Sequence, residues 1–245
     1  MYETIVTRYM QENGFGSFCP KAVLFDMDGV LYDSMPNHAV SWHESMKTFH
    51  IEMPREDAYR YEGMRGVETI KLLTRQQWGR DISDEEAARM YAAKSERFAL
   101  CAEAPVMEGV KQLQQLIHGM GLQIVVVTGS GQRSLLDKLT VDFEGLVDPQ
   151  LVVSSFDVKR GKPHPEPYLK GLEKVGVAPY EAVVIENAPL GVRAAVAARL
   201  FTIAVNTGPL PDAQLSGEGA HLVYKSMAEA EAFFRSLPTL SCCRG

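Results

Sequence analysis

Six short apolar runs recur along the chain, at 21–25 (KAVLF), 122–127 (LQIVVV), 151–153 (LVV), 182–185 (AVVI), 201–205 (FTIAV) and 221–223 (HLV). They are continuous, not alternating, as expected of strands buried on both faces of a parallel sheet. Stretches at 109–119, 134–140, 165–175, 189–199 and 226–235 read as helices between or after them. This alternation predicts an α/β fold with a doubly wound, Rossmann-like parallel sheet flanked by helices. In such sheets ligands bind at the carboxyl ends of the strands.

One block departs from the pattern. Residues 36–100 contain no strand-like run and read as four helices, about 36–49, 54–60, 66–78 and 83–100. Pro36 and Pro54 sit near helix starts, and Ser83 followed by Glu86 forms a capping box. A block of this length is far too long for a loop. We expect an inserted all-helical cap over 36–100, with hinges near 33–36 and 101–107. The core is then 21–35 with 101–245. Residues 1–20 read as an N-terminal extension, helical or irregular, broken by Gly14, Gly16 and Pro20.

Composition narrows the classes. Of 245 residues, 46% are hydrophobic and 23% charged, and the net charge is −6. An acidic chain without a Lys/Arg cluster argues against nucleic-acid binding and against capture by anionic membranes. No run approaches the roughly 18 apolar residues of a membrane span. The four cysteines, Cys19, Cys101, Cys242 and Cys243, show no metal-ligand spacing and suit a reducing compartment. These features predict a cytoplasmic protein, expected to be a monomer.

The chemistry gathers at the predicted strand ends. The first run delivers Asp26 and Asp28, which point to one side if the strand continues, and Gly29 follows for a sharp turn. Alone this is also compatible with a strand capped by a polar turn. Paired carboxylates suit a hard cation such as Mg²⁺, and a nucleophile beside a proton carrier. The second strand leads into Thr128-Gly129-Ser130-Gly131-Gln132, an expected backbone-amide pocket for an anion. Lys162 lies in a stiff Gly161-Lys162-Pro163 turn, where a fixed ammonium can neutralise phosphate charge. Glu186 and Asn187 follow the fourth run.

In this order the four segments resemble the motifs of the haloacid dehalogenase superfamily, across roughly residues 20–207. The insert between the first two resembles the cap of the β-phosphoglucomutase-like branch. Phe25-Asp26-Met27-Asp28-Gly29-Val30-Leu31-Tyr32-Asp33-Ser34, Gly161-Lys162-Pro163-His164-Pro165 and Glu186-Asn187-Ala188-Pro189-Leu190-Gly191 carry the likeness. The resemblance implies that Asp26 forms an aspartyl-phosphate and that Asp28 acts as acid and base. It implies Thr128 and Lys162 on the transferring phosphoryl group, with Gly129 and Ser130 in the anion pocket. It implies Mg²⁺ held by Asp26, Asp28 through its backbone carbonyl, and the fourth motif with Glu186 and Asn187.

Two departures from the family bear on substrate. Asn187 stands where an Asp is usual, so the metal site loses a charge. In the cap loop, Glu62 and Gly66 stand where the mutases carry a lysine and an arginine that grip a sugar's distal phosphate. Glu62 could restore the missing charge when the cap closes, or be an exposed loop acid. Lys94 matches a cap lysine of the family and, with Arg65, is a candidate for a second phosphate. His38 sits near the hinge where the mutases have a histidine, or is a helix-surface histidine. Trp42, Trp78 and the methionines read as core packing. The expected activity is Mg²⁺-dependent hydrolysis of a small phosphate substrate, inorganic pyrophosphate foremost. A β-phosphoglucomutase, a sugar-phosphate phosphatase and a non-enzymatic binding module are the alternatives.

Overall fold

A computed structural model describes residues 1–131 and 133–239, so Gln132, Cys242 and Cys243 lie outside the described residues. The strands are β1 Ala22–Phe25, β2 Gln123–Val127, β3 Val152–Val153, β4 Ala182–Glu186, β5 Phe201–Val205 and β6 Leu222–Tyr224. The helices are α1 Tyr2–Asn13, α2 Met35–Thr48, α3 Arg55–Arg60, α4 Gly66–Trp78, α5 Asp84–Ala99 and α6 Val110–Gly119. They continue as α7 Arg133–Asp142, α8 Glu166–Val175, α9 Pro189–Ala197, α10 Asp212–Gly217 and α11 Met227–Ser236. Among the described residues, no helix is long and apolar enough to cross a membrane.

The six strands form one parallel sheet in the order β3-β2-β1-β4-β5-β6. In register, Leu24 lies between Val125 and Val184. Alternate residues serve opposite faces. Val23, Phe25, Val126 and Ile185 join a core with Val6 and Tyr9 of α1, Leu113 of α6 and Phe233 of α11. Leu24, Val125, Val127 and Val184 pack with Tyr168 and Leu172 of α8 and Ala194 of α9. Because both faces are covered, every residue of β1 is buried and apolar. The Val, Leu and Phe side chains among them each contribute about 1.5–3 kcal/mol on burial.

The expected helical insert is present as α2–α5, with its own core of Trp42, Met46, Ile70, Leu73, Ala87 and Met90. Pro36 falls in the first turn of α2, and the Ser83 hydroxyl accepts from the Glu86 amide at 3.1 Å. The chain leaves the core and returns to it side by side. Asp33 N donates to Pro105 O at 2.9 Å, and Asn37 Nδ2 to Ala102 O at 2.8 Å. The N-terminal extension is a docked helix: the Tyr9 hydroxyl, fully buried, donates to Arg199 O at 2.9 Å. The strand order reverses its direction of growth between β1 and β4. Ligands of open α/β sheets bind at that point, beyond the carboxyl ends.

Candidate active site

Asp26 and Asn187 follow β1 and β4, on either side of the reversal, and Glu186 ends β4. The turn after Asp26 is wound tightly around Met27, whose carbonyl accepts from Leu31 N at 2.8 Å and Tyr32 N at 3.1 Å. Gly29 has φ +81°, and a Cβ there would lie 2.1 Å from Asn187 Nδ2. Only glycine satisfies both constraints.

Lys162 is 1% exposed, and its ammonium reaches Asp26 Oδ1, Glu186 Oε1 at 2.6 Å and Val127 O at 3.1 Å. Burial would lower its pKa, but Asp26 and Glu186 raise it above the ordinary value, so it stays charged. Burial, with Glu186 and Asp28 adding to it and Lys162 opposing, pushes the Asp26 carboxyl up.

Glu186, expected at the metal, is held by several groups of the protein itself. It accepts the Tyr168 hydroxyl at 2.7 Å beside Lys162, and its other oxygen accepts Asn187 N at 2.9 Å and Ala188 N at 3.2 Å. Both oxygens are thus engaged by the protein, and Glu186 orients Lys162.

Asp28 Oδ1 accepts the Ser34 hydroxyl at 2.6 Å and pairs with His38 Nε2 at 3.1 Å. Burial pushes Asp28 up, yet His38, Ser34 and Lys94 together hold it below the usual carboxylate range. His38 Nδ1 lies 2.8 Å from Lys94 Nζ. Since an ammonium can only donate, Nδ1 accepts and Nε2 carries the proton given to Asp28. His38 is therefore no surface histidine. Burial, then the Lys94 charge, lowers its pKa, with Asp28 opposing. Lys94 is 1% exposed and ringed by Phe98, Trp42 and Tyr91 at 4.8, 5.4 and 5.9 Å from their ring centres. Burial lowers its pKa to about 8.

The cap loop between α3 and α4 lies over this constellation. Glu62 is 8% exposed, so it is not an exposed loop acid. Asn187 Nδ2 lies 3.2 Å from each of its oxygens. Burial, then Asp26, Glu186 and Asp28, raises the Glu62 pKa well above the ordinary value, with Asn187 opposing. A cavity of about 50 Å³ remains, lined by Asp26, Asp28, His38, Glu62, Lys94 and Gly129 among others. Ser130 lines it too, and its amide donates to Thr128 Oγ1 at 2.9 Å. Trp42 also lines the cavity, correcting its reading as core packing alone. At Gly66, a Cβ would lie 2.0 Å from the Tyr91 ring, so that ring fills the space a larger residue would need.

Arg65 corrects an expectation. It does not line the cavity; its guanidinium donates to Lys159 O at 2.7 Å, tying the cap loop to the core. Sequence reasoning missed Ser34, Tyr168 and Tyr91. Ser34 was within sight in the first motif, but the other two carry no local signal.

The donor set fits Mg²⁺. Asp26 Oδ2 and Asn187 Oδ1 are buried without a hydrogen-bond partner among the described residues. Two orphaned oxygens beside the Glu62 carboxylate suit a hard cation. No group of three or more His, Cys, Asp or Glu side chains placed to hold a metal is found among the described residues.

The chain is 31% identical over 186 residues to hexitol phosphatase A of Escherichia coli, covering 76% of this chain and 83% of that protein. It is 30% identical over 185 residues to a phosphorylated carbohydrates phosphatase of Thermotoga maritima, covering 75% and 83%. A solved Bacteroides vulgatus structure, described provisionally as a β-phosphoglucomutase, superposes with a TM-score of 0.94 at 48% identity, covering 100% and 99%. A family model for haloacid dehalogenase-like hydrolases matches residues 20–199, and the chain belongs to that family.

Proposed function

We propose that the chain is a Mg²⁺-dependent phosphohydrolase that works through an aspartyl-phosphate on Asp26 and prefers inorganic pyrophosphate. One observation carries the preference: the cap carboxylate Glu62 is held against Asn187 in a narrow cavity of about 50 Å³. A carboxylate there repels a sugar's distal phosphate, and the walls leave little room for a sugar. A compact anion matched by Lys162 and Lys94 suits both.

An Asp26 oxygen attacks one phosphorus, the bridging P–O bond breaks, and the departing phosphate takes a proton from Asp28. Water then attacks the phosphoaspartate phosphorus, releasing Asp26, while Asp28 takes the water proton. The depressed Asp28 pKa suits this second half, in which it is the base. Lys162 holds charge on the transferring group, and the Thr128–Ser130 loop encloses its oxygens. Asp26, the Asp28 backbone carbonyl, Asn187 and Glu62 would hold Mg²⁺, with Glu186 of the same motif beside them, and its role would be to neutralise phosphoryl charge.

A phosphate-release screen with Mg²⁺ over pyrophosphate, hexitol and hexose phosphates and nucleotides tests the reading. We expect kcat/KM for pyrophosphate to exceed that for any hexose phosphate by about tenfold or more. The second reading, a carbohydrate phosphatase, is favoured by the similarity to the two bacterial phosphatases. A sugar or hexitol phosphate that outruns pyrophosphate would establish it. A mutase is disfavoured because neither Glu62 nor Gly66 can grip a second phosphate.

A further inference from the structure

The cap meets the core where the core has no side chain. A Cβ on Gly129 would lie 2.5 Å from Gly63 O, one on Gly161 2.6 Å from Arg65 Cγ, and one on Gly208 3.0 Å from the Tyr59 ring. These glycines lie in three separate core loops: after β2, beside Lys162, and after β5. The cap therefore seats by close approach, and that seating delivers Glu62 to Asn187.

Each partner's contribution to a cation can be counted. The core offers Asp26, one oxygen of which is committed to Lys162, and two uncharged groups, the Asp28 backbone carbonyl and the Asn187 amide, while the Asp28 carboxylate is engaged by Ser34 and His38. Glu186 is committed to Lys162, Tyr168 and two backbone amides. The remaining full charge is Glu62, and it rides on the cap. Conversely, the seated Glu62 receives its hydrogen bonds from Asn187 alone among the described residues. A buried, incompletely matched carboxylate is costly. A cation shared by Asp26, Asn187 and Glu62 removes that cost.

We propose that Mg²⁺ binding and cap closure are one linked equilibrium in this chain: the closed cap is the tight-binding form, and Mg²⁺ alone, without substrate, closes it. Linkage of this kind is reciprocal. It follows from placing the compensating carboxylate on the moving part, where a core Asp at 187 would have kept metal affinity independent of the cap. The inference rests on the Mg²⁺ site proposed above.

The experiment uses the full chain without substrate, with Mg²⁺ calorimetry and small-angle scattering in parallel. For the wild type, the radius of gyration should fall along the same Mg²⁺ dependence as the binding heat. Glu62→Gln should raise the Mg²⁺ Kd by about tenfold or more and abolish compaction. Gly208→Trp wedges the cap at Tyr59, outside the metal ligands. It should raise Kd by a similar factor and add nothing in a double variant with Glu62→Gln, since both remove one shared contribution. Asn187→Asp placed on Glu62→Gln should restore affinity without restoring compaction. Wild-type binding without compaction would overturn the linkage. So would a Glu62→Gln Kd within about twofold of wild type, or a Gly208→Trp variant that stays open yet binds normally. These results leave the phosphohydrolase reading standing. A wild type that binds no Mg²⁺ at all would instead remove the metal site itself.

Discussion

Lys94 exposes a trade of stability for function that can be measured. Its ammonium is 1% exposed, and burial depresses its pKa from 10.5 to about 8. Each tenfold change in proton affinity corresponds to about 1.4 kcal/mol, so keeping Lys94 charged costs about 3 kcal/mol of folding free energy near neutral pH. The rings of Phe98, Trp42 and Tyr91 return part of this, about 0.5–2 kcal/mol. Lys94→Met keeps a similar shape without the charge. Urea unfolding at pH 7 should find the variant more stable by about 1–3 kcal/mol. The sign with pH follows from the depressed pKa. The penalty on the wild type is full below about pH 8, fades as pH rises towards 10.5, and vanishes above it. The gap between variant and wild type should close over that window. Pyrophosphate turnover should fall in the same variant, since the cavity loses a cation. A variant less stable at pH 7, or a gap independent of pH, would refute the reasoning.

Asp26→Asn should abolish turnover and phosphoenzyme trapping with unchanged circular dichroism; ordinary turnover would end the aspartyl-phosphate mechanism. Tyr91→Ala should open the cavity beside Gly66 and raise turnover of hexitol phosphates relative to pyrophosphate, a ratio read in the same phosphate-release assay. An unchanged ratio would show that Tyr91 does not set substrate size. Gln114 of α6 is fully buried, with both amide atoms unpartnered among the described residues. Gln114→Met should stabilise the fold by about 1–3 kcal/mol in thermal unfolding, and a lower midpoint would mean that bound water already satisfies the amide.

The sheet was legible because burial on both faces leaves unbroken apolar runs. The cap helices were legible from their starts, such as Ser83 with Glu86. Elements that owe their order to distant partners were not. Residues 2–13 read only as helical or irregular because α1 depends on Tyr9 reaching Arg199 O, 190 positions away. The short α10, Asp212–Gly217, was missed: six mostly polar residues that bury Leu215 carry little periodicity.

At the site, residue types and order were readable, but the direction of each group was not. Glu186 and Asn187 are adjacent, and the sequence assigns both to the metal with equal reason. Tyr168, on α8, sets them apart by donating to Glu186 beside Lys162, whereas Asn187 turns its amide towards Glu62. Arg65 follows the same logic. It precedes the first residue of α4 in an extended conformation, which sends its guanidinium out to Lys159 O instead of into the cavity. Glu62, three residues earlier and beyond the turn at Gly63, goes inward. Two charged residues of one short loop thus face opposite ways. The acid, not the base, enters the cavity. A carboxylate buried beside Asp26 and Asp28 is unfavourable unless a cation joins it. This loop conformation therefore suits the proposed metal site better than a grip on a second sugar phosphate, which basic residues in the same loop would provide.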